Sequence, residues 1–307
     1  MKNGLGTGSA ALSFVLWGLL PLYYQFMPEV NMWELLSHRV LWSVILLGAI
    51  FLLLGVQVPW SRLRSEPRQL GLILLAGPVM SISWCMFTWC LTTGQVLAAS
   101  LAFFMTPLFN IAFAVIFLKE RLTVQKHLAV ALALAGLAYM LFSYGELPWF
   151  SLIMGANFAL YGLLKKKVHY GPGTSLYLES LVQLPLALLV IGWLGWQGSS
   201  TFLAGDWADR LLLMGSAPAT LLPVGLFCYG MLRTRMSTVG LLQYIEPSLA
   251  FLLALFWFGE SPDPVKSVGF AFVWAGLLVS LLPLHRLRQS KGFPPGPAPL
   301  PEAPQDR

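Results

Sequence analysis

The sequence predicts an all-α integral membrane protein, with ten transmembrane helices arranged as two inverted five-helix repeats. Three observations predict it. The first is composition: of 307 residues, 57% are hydrophobic and 10% charged, against roughly 25% charged in an ordinary soluble domain. The remaining polar surface cannot cover so apolar a core, so the solvent is lipid. The second is a ladder of apolar runs of about 20 residues, the length that crosses roughly 30 Å of hydrocarbon. The third is that the chain overlies itself. At an offset of 140 residues, Phe103-Phe104-Met105-Thr106-Pro107 falls on Gln243-Tyr244-Ile245-Glu246-Pro247, and Glu120 on Glu260. In the same register Lys126 falls on Lys266, Ala135-Gly136-Leu137 on Ala275-Gly276-Leu277, Pro78 on Pro218 and Phe87 on Phe227. An offset of 144 lays Ser13-Phe14-Val15-Leu16-Trp17-Gly18-Leu19-Leu20 over Asn157-Phe158-Ala159-Leu160-Tyr161-Gly162-Leu163-Leu164.

In chain order the expected spans are 5–27, 33–55, 70–92, 96–118, 127–143, 149–164, 174–196, 211–232, 237–258 and 267–284. Only helices and closed barrels can cross lipid, and runs this uniformly apolar are helices rather than alternating barrel strands. The first run follows Lys2 but is too long for a signal-peptide core and shows no convincing small-residue cleavage site, so it stays as a helix. The second opens with Glu34, has His38 one turn later on the same face, and Arg39 beside it. The pair could relay a proton and the arginine clamp an anion. The competing reading places all three at the interface, with Arg39 snorkelling and Glu34 favouring a helix N-terminus.

The third, fourth, eighth and ninth spans contain Pro78, Pro107, Pro218 with Pro223, and Pro247. Each proline removes a backbone hydrogen bond and kinks its helix, and freed carbonyls are tolerated against protein or a watery cavity. These four helices are therefore expected to line a central cavity. The fifth and sixth spans are the shortest, separated by the Tyr144–Pro148 turn. Small residues stripe the fifth (Ala129, Ala131, Ala133, Ala135, Gly136) and tenth (Gly269, Ala271, Ala275, Gly276), as tight packing or a homodimer contact requires. Gly155, Ala159 and Gly162 do the same in the sixth. Glu179 mirrors Glu34 at the start of the seventh span, and Gln183 joins the candidate pathway. Glu246, before Pro247, is the deepest carboxylate, either a proton site or a strut. Trp17, Trp42, Trp84 and Trp89 lie deep enough to stack a flat substrate or to fill core, whereas Trp33, Trp60, Trp149 and Trp207 suit the interfacial belt.

Sixteen of the 19 Lys and Arg fall on one side of this ladder: Lys2; Arg62, Arg64 and Arg68; Lys119, Arg121 and Lys126; Lys165, Lys166 and Lys167; Arg233 and Arg235; Arg286, Arg288, Lys291 and Arg307. Basic residues concentrate in cytoplasmic loops, so both termini are expected in the cytoplasm. Five spans per repeat is odd, so the second repeat is inverted, with Glu120 at the cytoplasmic face and Glu260 outside. The domain expectation is residues 1–146 and 147–286 as the two repeats, with a disordered Pro-rich tail over 287–307. The net charge of +6 is explained by the cytoplasmic leaflet and needs no nucleic acid.

No Walker-type phosphate loop, H-E-x-x-H or G-x-S-x-G occurs, and His38, His127, His169 and His285 are scattered. No metal, cofactor or catalytic set is expected. The three cysteines, Cys85, Cys90 and Cys228, lie inside spans and form no disulfide framework. Duplicated apolar halves are a signature of secondary transporters that bind solute between the repeats. The expected function is a secondary transporter of a small organic solute, with protons the favoured coupling ion. The alternatives are a membrane-embedded enzyme, which would need a clustered polar set, and a non-transporting receptor or scaffold.

Particular stretches also resemble a known family. Glu34-Leu35-Leu36-Ser37-His38-Arg39-Val40-Leu41-Trp42-Ser43, Asn110 after Pro107, Phe117-Leu118-Lys119-Glu120-Arg121, Tyr161-Gly162-Leu163-Leu164-Lys165-Lys166-Lys167 and Gln243-Tyr244-Ile245-Glu246-Pro247 are similar to the RarD branch of the EamA-type drug/metabolite transporters. The resemblance runs from about residue 5 to 286. It implies ten helices in inverted repeats, a multi-pass place in the bacterial inner membrane, and export of small metabolites or drugs; the branch is named for a link to chloramphenicol sensitivity. Asn110, Tyr161, Gln243 and Tyr244 become candidate pathway residues through these motifs. One departure stands out: the residue before Pro247 is often small in relatives, and here it is Glu246, so the resemblance gives it no family-wide coupling role.

Overall fold

A computed structural model describes residues 2–27, 30–93, 96–145 and 149–281, and every regular element among them is helical. The helices are α1 (Lys2–Gly18), α2 (Leu20–Tyr24), α3 (Met32–Leu53), α4 (Trp60–Ser65), α5 (Pro67–Thr92), α6 (Val96–Leu118), α7 (Val124–Tyr144) and α8 (Trp149–Lys167), then α9 (Pro172–Trp196), α10 (Thr201–Ala204), α11 (Trp207–Arg233), α12 (Met236–Leu242), α13 (Ile245–Phe256) and α14 (Pro264–Leu281). Eight segments among the described residues are long and apolar enough to cross a membrane: α1 with α2, α3, α5, α6, α7, α9, α11, and α12 with α13. The two remaining expected spans correspond to α14, whose apolar stretch Pro264–Ser280 is shorter, and to α8, which ends in three lysines. Large apolar side chains face outward, Phe142 at 88% and Leu52 at 85% exposure. Water penalises such a surface and lipid does not. The tail, with the basic cluster from Arg286 onward, His285 and residues 146–148 of the turn between α7 and α8, lies outside the described residues.

The duplication extends to the backbone. Helix starts at Met32 and Pro172, Pro67 and Trp207, Val96 and Met236, Val124 and Pro264 each stand 140 residues apart. The turn after α6 places Lys119 at φ 54° and the turn after α13 places Gly259 at φ 69°. Past those left-handed residues, the N–H of Glu120 donates to the Ala114 carbonyl at 3.0 Å and that of Glu260 to Ala254 at 2.9 Å, the long bond that closes a helix C-terminus. The next helix is then capped by Thr123, which accepts from the N–H of Lys126, or by Asp263, which accepts from Val265 and Lys266. Burial raises the Asp263 carboxyl, but hydrogen bonds from the Tyr144 hydroxyl and those two amides outweigh it and hold it below the ordinary carboxylate range.

Two spans expected to be continuous are broken. The ninth divides at Gln243–Tyr244 into α12 and α13, and the first divides at Leu19 into α1 and α2. Each break has a proline on its far side. Pro247 has no N–H for the Gln243 carbonyl, and Pro21 none for that of Trp17. Both prolines instead occupy first-turn positions of a new helix, where that donor is spare. Pro107 leaves α6 continuous, and Pro185 lies inside α9 without breaking it.

The small-residue stripes of α7 and α14 pack against each other. A Cβ on Gly136 would lie 2.9 Å from Cβ of Phe272, and one on Gly276 would lie 2.9 Å from the Ala129 carbonyl oxygen. The stripe is thus occupied within one chain. Further pairings join α6 with α8 and α12, α1 with α11 and α13, α3 with α9 and α11, and α5 with α8 and α9.

Candidate functional site

The bundle has two unlike ends. At the basic end, Glu120 accepts from the N–H groups of Met236 and Ser237 at 2.8 and 3.0 Å and so caps α12. Lys126 donates to Ser237 and Thr238, and Lys166 to the Met231 and Thr234 carbonyls that end α11. Lys165, expected in a surface cluster with its two neighbours, is instead buried and ion-paired with Glu179 at 2.6 Å. Sequence alone places a Lys-Lys-Lys run in a loop; the added turn of α8 carries its first member inward. Glu179 also accepts from Ser175 at 2.7 Å and from Tyr161 at 3.2 Å. Tyr161 belongs to an apolar core there with Phe14, Leu176, Phe227 and Cys228.

Toward the other end lies a cavity of about 460 Å³. Trp17, Pro21 and Tyr24 wall it from α1 and α2; Leu36 and Arg39 from α3; Trp84, Phe87 and Thr88 from α5. Phe103 and Thr106 of α6, Phe158 of α8 and Ser216 of α11 continue it, and Gln243, Glu246, Pro247 and Ala250 complete it at the broken helix. The lining is mostly aromatic and aliphatic, with a few polar groups, the character of a small-molecule pocket. Most of the lining comes from the helix halves remote from the basic end, while Phe158, Gln243 and Glu246 lie near the middle of their spans. The remote end is fixed by Glu34, which accepts from the Ser200 hydroxyl and the N–H groups of Thr201 and Phe202 at 2.6, 2.9 and 3.1 Å.

The candidate residues separate into three groups. Trp17, Arg39, Trp84, Gln243, Glu246 and Pro247 line the cavity. Arg39 is 8% exposed and its guanidinium stacks 4.3 Å above the Trp84 ring. Among the described residues it makes no ion pair, and Nη1 has no hydrogen-bond partner. Glu246, beside Pro247, also lines the cavity and makes no ion pair among the described residues. Asn110 donates to Gln243 and joins α6 to α12 just beneath the cavity floor. A second group lies outside the cavity lining and contacts neighbouring helices and loops. Glu34 caps α10, His38 stacks on Phe202 with ring centroids 4.5 Å apart, and Trp42 lies 6.3 Å from the same ring. His38 and Glu34 are 3.8 Å apart. Tyr244 donates to the Phe104 carbonyl at 3.3 Å, and Gln183 bridges α9 to Ser81 of α5. The third group, Tyr161 with Glu179, belongs to the core of the basic end. Pro78 and Pro218 are exposed, and Pro107 is buried against α12. Pro21, Tyr24, Phe87 and Phe158 were not singled out from sequence as cavity residues. Pro21 carries the same signal as Pro247, a proline beside a helix break.

The sequence pattern of the EamA-like transporter family matches residues 4–142 and again 147–282. "Protein RarD" of Streptomyces exfoliatus is 38% identical over 279 residues, covering 91% of this chain and 88% of that protein. "Protein RarD" of Escherichia coli (strain K12) is 32% identical over 89% of this chain and 92% of its own. "Uncharacterized transporter YojE" of Bacillus subtilis (strain 168) is 34% identical over 88% of this chain and 91% of its own. A solved crystal structure with 18% identity shares the fold at a TM-score of 0.66, covering 92% of this chain and 98% of that one. A duplicated family match and relatives aligned along nearly the whole chain lead to one statement: this chain belongs to the EamA-like transporter family, in its RarD branch.

Proposed function

We propose that this membrane protein is a secondary transporter that moves a small organic solute by alternating access through the cavity at the broken helix. The observation that carries the reading is the cavity itself. It is walled by six of the eight long apolar spans together with α8, holds unpaired charge, and lies apart from a packed, ion-paired core at the basic end. Broken helices flanking such a cavity are the usual way a transporter bares polar backbone inside the membrane. The architecture we propose is ten spans in two inverted repeats, over residues 1–146 and 147–286, in the inner membrane with both termini cytoplasmic. The helix pairings support it. Under that correspondence α3 meets its own mate α9, α6 meets α12 and α7 meets α14. The contact of α1 with α11 answers that of α8 with α5, and α3 with α11 answers α9 with α5. In this reading the cavity faces outward and the basic end faces the cytoplasm. Proton handling, if coupled, falls to Glu246 rather than to Glu34, whose oxygens are occupied by three donors.

The test uses sealed proteoliposomes of the purified chain. Solute exchange proceeds without ATP and stops when Phe158→Trp fills the cavity. In a background lacking the native cysteines, single cysteines at exposed Thr123 and Ser261 label from opposite faces. Exchange that requires ATP, or labelling of both cysteines from one face, refutes the reading.

A further inference from the structure

Arg39 presents a problem that the protein itself leaves unsolved. A guanidinium within a span is costly unless it is paired. Arg39 is 8% exposed, so it gains little from water. Among the described residues the guanidinium has no carboxylate within ion-pair distance, and Nη1 has no hydrogen-bond partner. Its guanidinium carbon lies 4.3 Å from the centre of the Trp84 ring. Stacking sets the plane of the fork while Nη1 stays without a partner, and a planar oxyanion is the group whose geometry suits Arg rather than Lys. Buried Lys165 makes the contrast plain: it has Glu179 at 2.6 Å and Ser175 at 2.6 Å. Much of the remaining lining is aromatic, with Trp17, Phe87, Phe103 and Phe158 among it.

We infer that Arg39, held on Trp84, is the anion-recognition residue of the cavity, and that the solute is a small organic carboxylate with a flat apolar body. The carboxylate accepts two N–H bonds from the guanidinium, and the body lies among the aromatic walls. This deepens the proposed transport function and rests on the cavity being the solute site. Glu246 lines the same cavity. It divides carboxylate solutes into two sources: a simple anion, for which Glu246 must carry a proton, and a zwitterion, whose ammonium group it would pair.

The experiment measures equilibrium binding to the purified full chain in lipid nanodiscs, with radiolabelled phenylacetate as probe. Phenylacetamide, its neutral isostere, and phenylalanine, which adds an ammonium group, are the competitors. Saturable phenylacetate binding is expected, with the amide competing at least about tenfold more weakly, the loss of one modest charge-assisted interaction. Arg39→Lys keeps the charge and loses the fork, so phenylacetate affinity falls about tenfold or more. Its affinity for the amide is unchanged, which a merely structural arginine would not produce. Arg39→Gln removes the preference for the anion. Phenylalanine outcompeting phenylacetate, with that advantage lost in Glu246→Gln, assigns the zwitterion; the reverse order assigns the simple anion. Anion and amide binding equally, or Arg39→Lys retaining the parent's selectivity, overturns the role of Arg39 while leaving the cavity intact. Binding insensitive to Phe158→Trp overturns the cavity as the solute site. Absence of saturable binding by any carboxylate in the series overturns the solute class.

Discussion

Side chains at equivalent positions of the two halves meet opposite fates at the two ends of the bundle. The 140-residue offset pairs Leu36 with Leu176, Arg39 with Glu179, Phe87 with Phe227 and Thr88 with Cys228; the 144-residue offset pairs Phe158 with Phe14, Trp17 with Tyr161 and Pro21 with Lys165. The first member of every pair lines the cavity. The second lies in the apolar core or its ion-paired cluster at the basic end. The same set of positions thus lines a cavity at one end and packs into a core at the other, the asymmetry that the proposed alternating access between inverted halves calls for in a single resting state. The charges break the equivalence. Arg39 faces a cavity unpaired, whereas Glu179 has found Lys165, whose mate on the cavity side is a proline. The basic end therefore carries a buried Lys–Glu pair that has no counterpart at the equivalent positions of the cavity.

The largest expected effect is in accessibility. With the native cysteines removed, Leu36→Cys on the cavity wall reacts readily with a membrane-impermeant thiol reagent, and Leu176→Cys in the core is protected. A solute that turns the protein over makes Leu176→Cys reactive from the basic end and slows Leu36→Cys. Equal reactivity of both from one face under every condition would break the comparison.

Next in size is the buried pair. Lys165 and Glu179 are both buried, at 2% and 5% side-chain exposure. Removing one partner of such a pair strands the other charge and costs about 3–5 kcal/mol, whereas replacing both with apolar residues is close to neutral. Glu179→Ala therefore lowers the melting temperature strongly and exposes Cys228 to labelling, and Lys165→Met with Glu179→Leu recovers the melting temperature. Arg39→Ala, which removes no ion pair, leaves stability near the parent's. If Glu179→Ala melts like the parent with Cys228 still protected, the pair does not hold the basic end together.

The contrast between the ends also marks what the sequence could carry. Span positions were legible because apolar length and proline recur in fixed register; the paired helix starts differ by the same 140 residues that the motifs do. The break at Gln243–Tyr244 was not, since Pro247 and Pro107 look alike within apolar runs and only packing decides which helix parts. Polar residues inside spans could be named but not sorted. Glu34 proved to cap α10, a partner 166 residues away, and no local pattern announces that. Lys165 read as loop because its neighbours are lysines, and its burial depends on Glu179 arriving from the next helix.

The smallest effect is also the most local. Gly18 and Gly162 are equivalent under the 144-residue offset, yet their surroundings differ in kind. A Cβ on Gly18 would lie 2.8 Å from Cβ of Leu249 and 3.0 Å from the Glu246 carbonyl oxygen, both held by the α13 backbone. A Cβ on Gly162 would meet Asn110 Oδ1 and the Met231 methyl at 3.1 Å, and a methionine end can swing away. Overpacking against rigid neighbours costs about 1–3 kcal/mol, while alanine for glycine in a helix recovers roughly 0.5–1 kcal/mol of backbone entropy. Gly162→Ala should therefore melt within a few degrees of the parent. Gly18→Ala should melt lower and, by pushing α1 from the turn that carries Glu246, also weaken solute binding. Thermal denaturation in nanodiscs compares the two directly. If Gly162→Ala proves the more damaging, the basic end is packed tighter than the cavity rim. The basic end would then rest on close packing beside Asn110 as much as on the ion pair at Lys165.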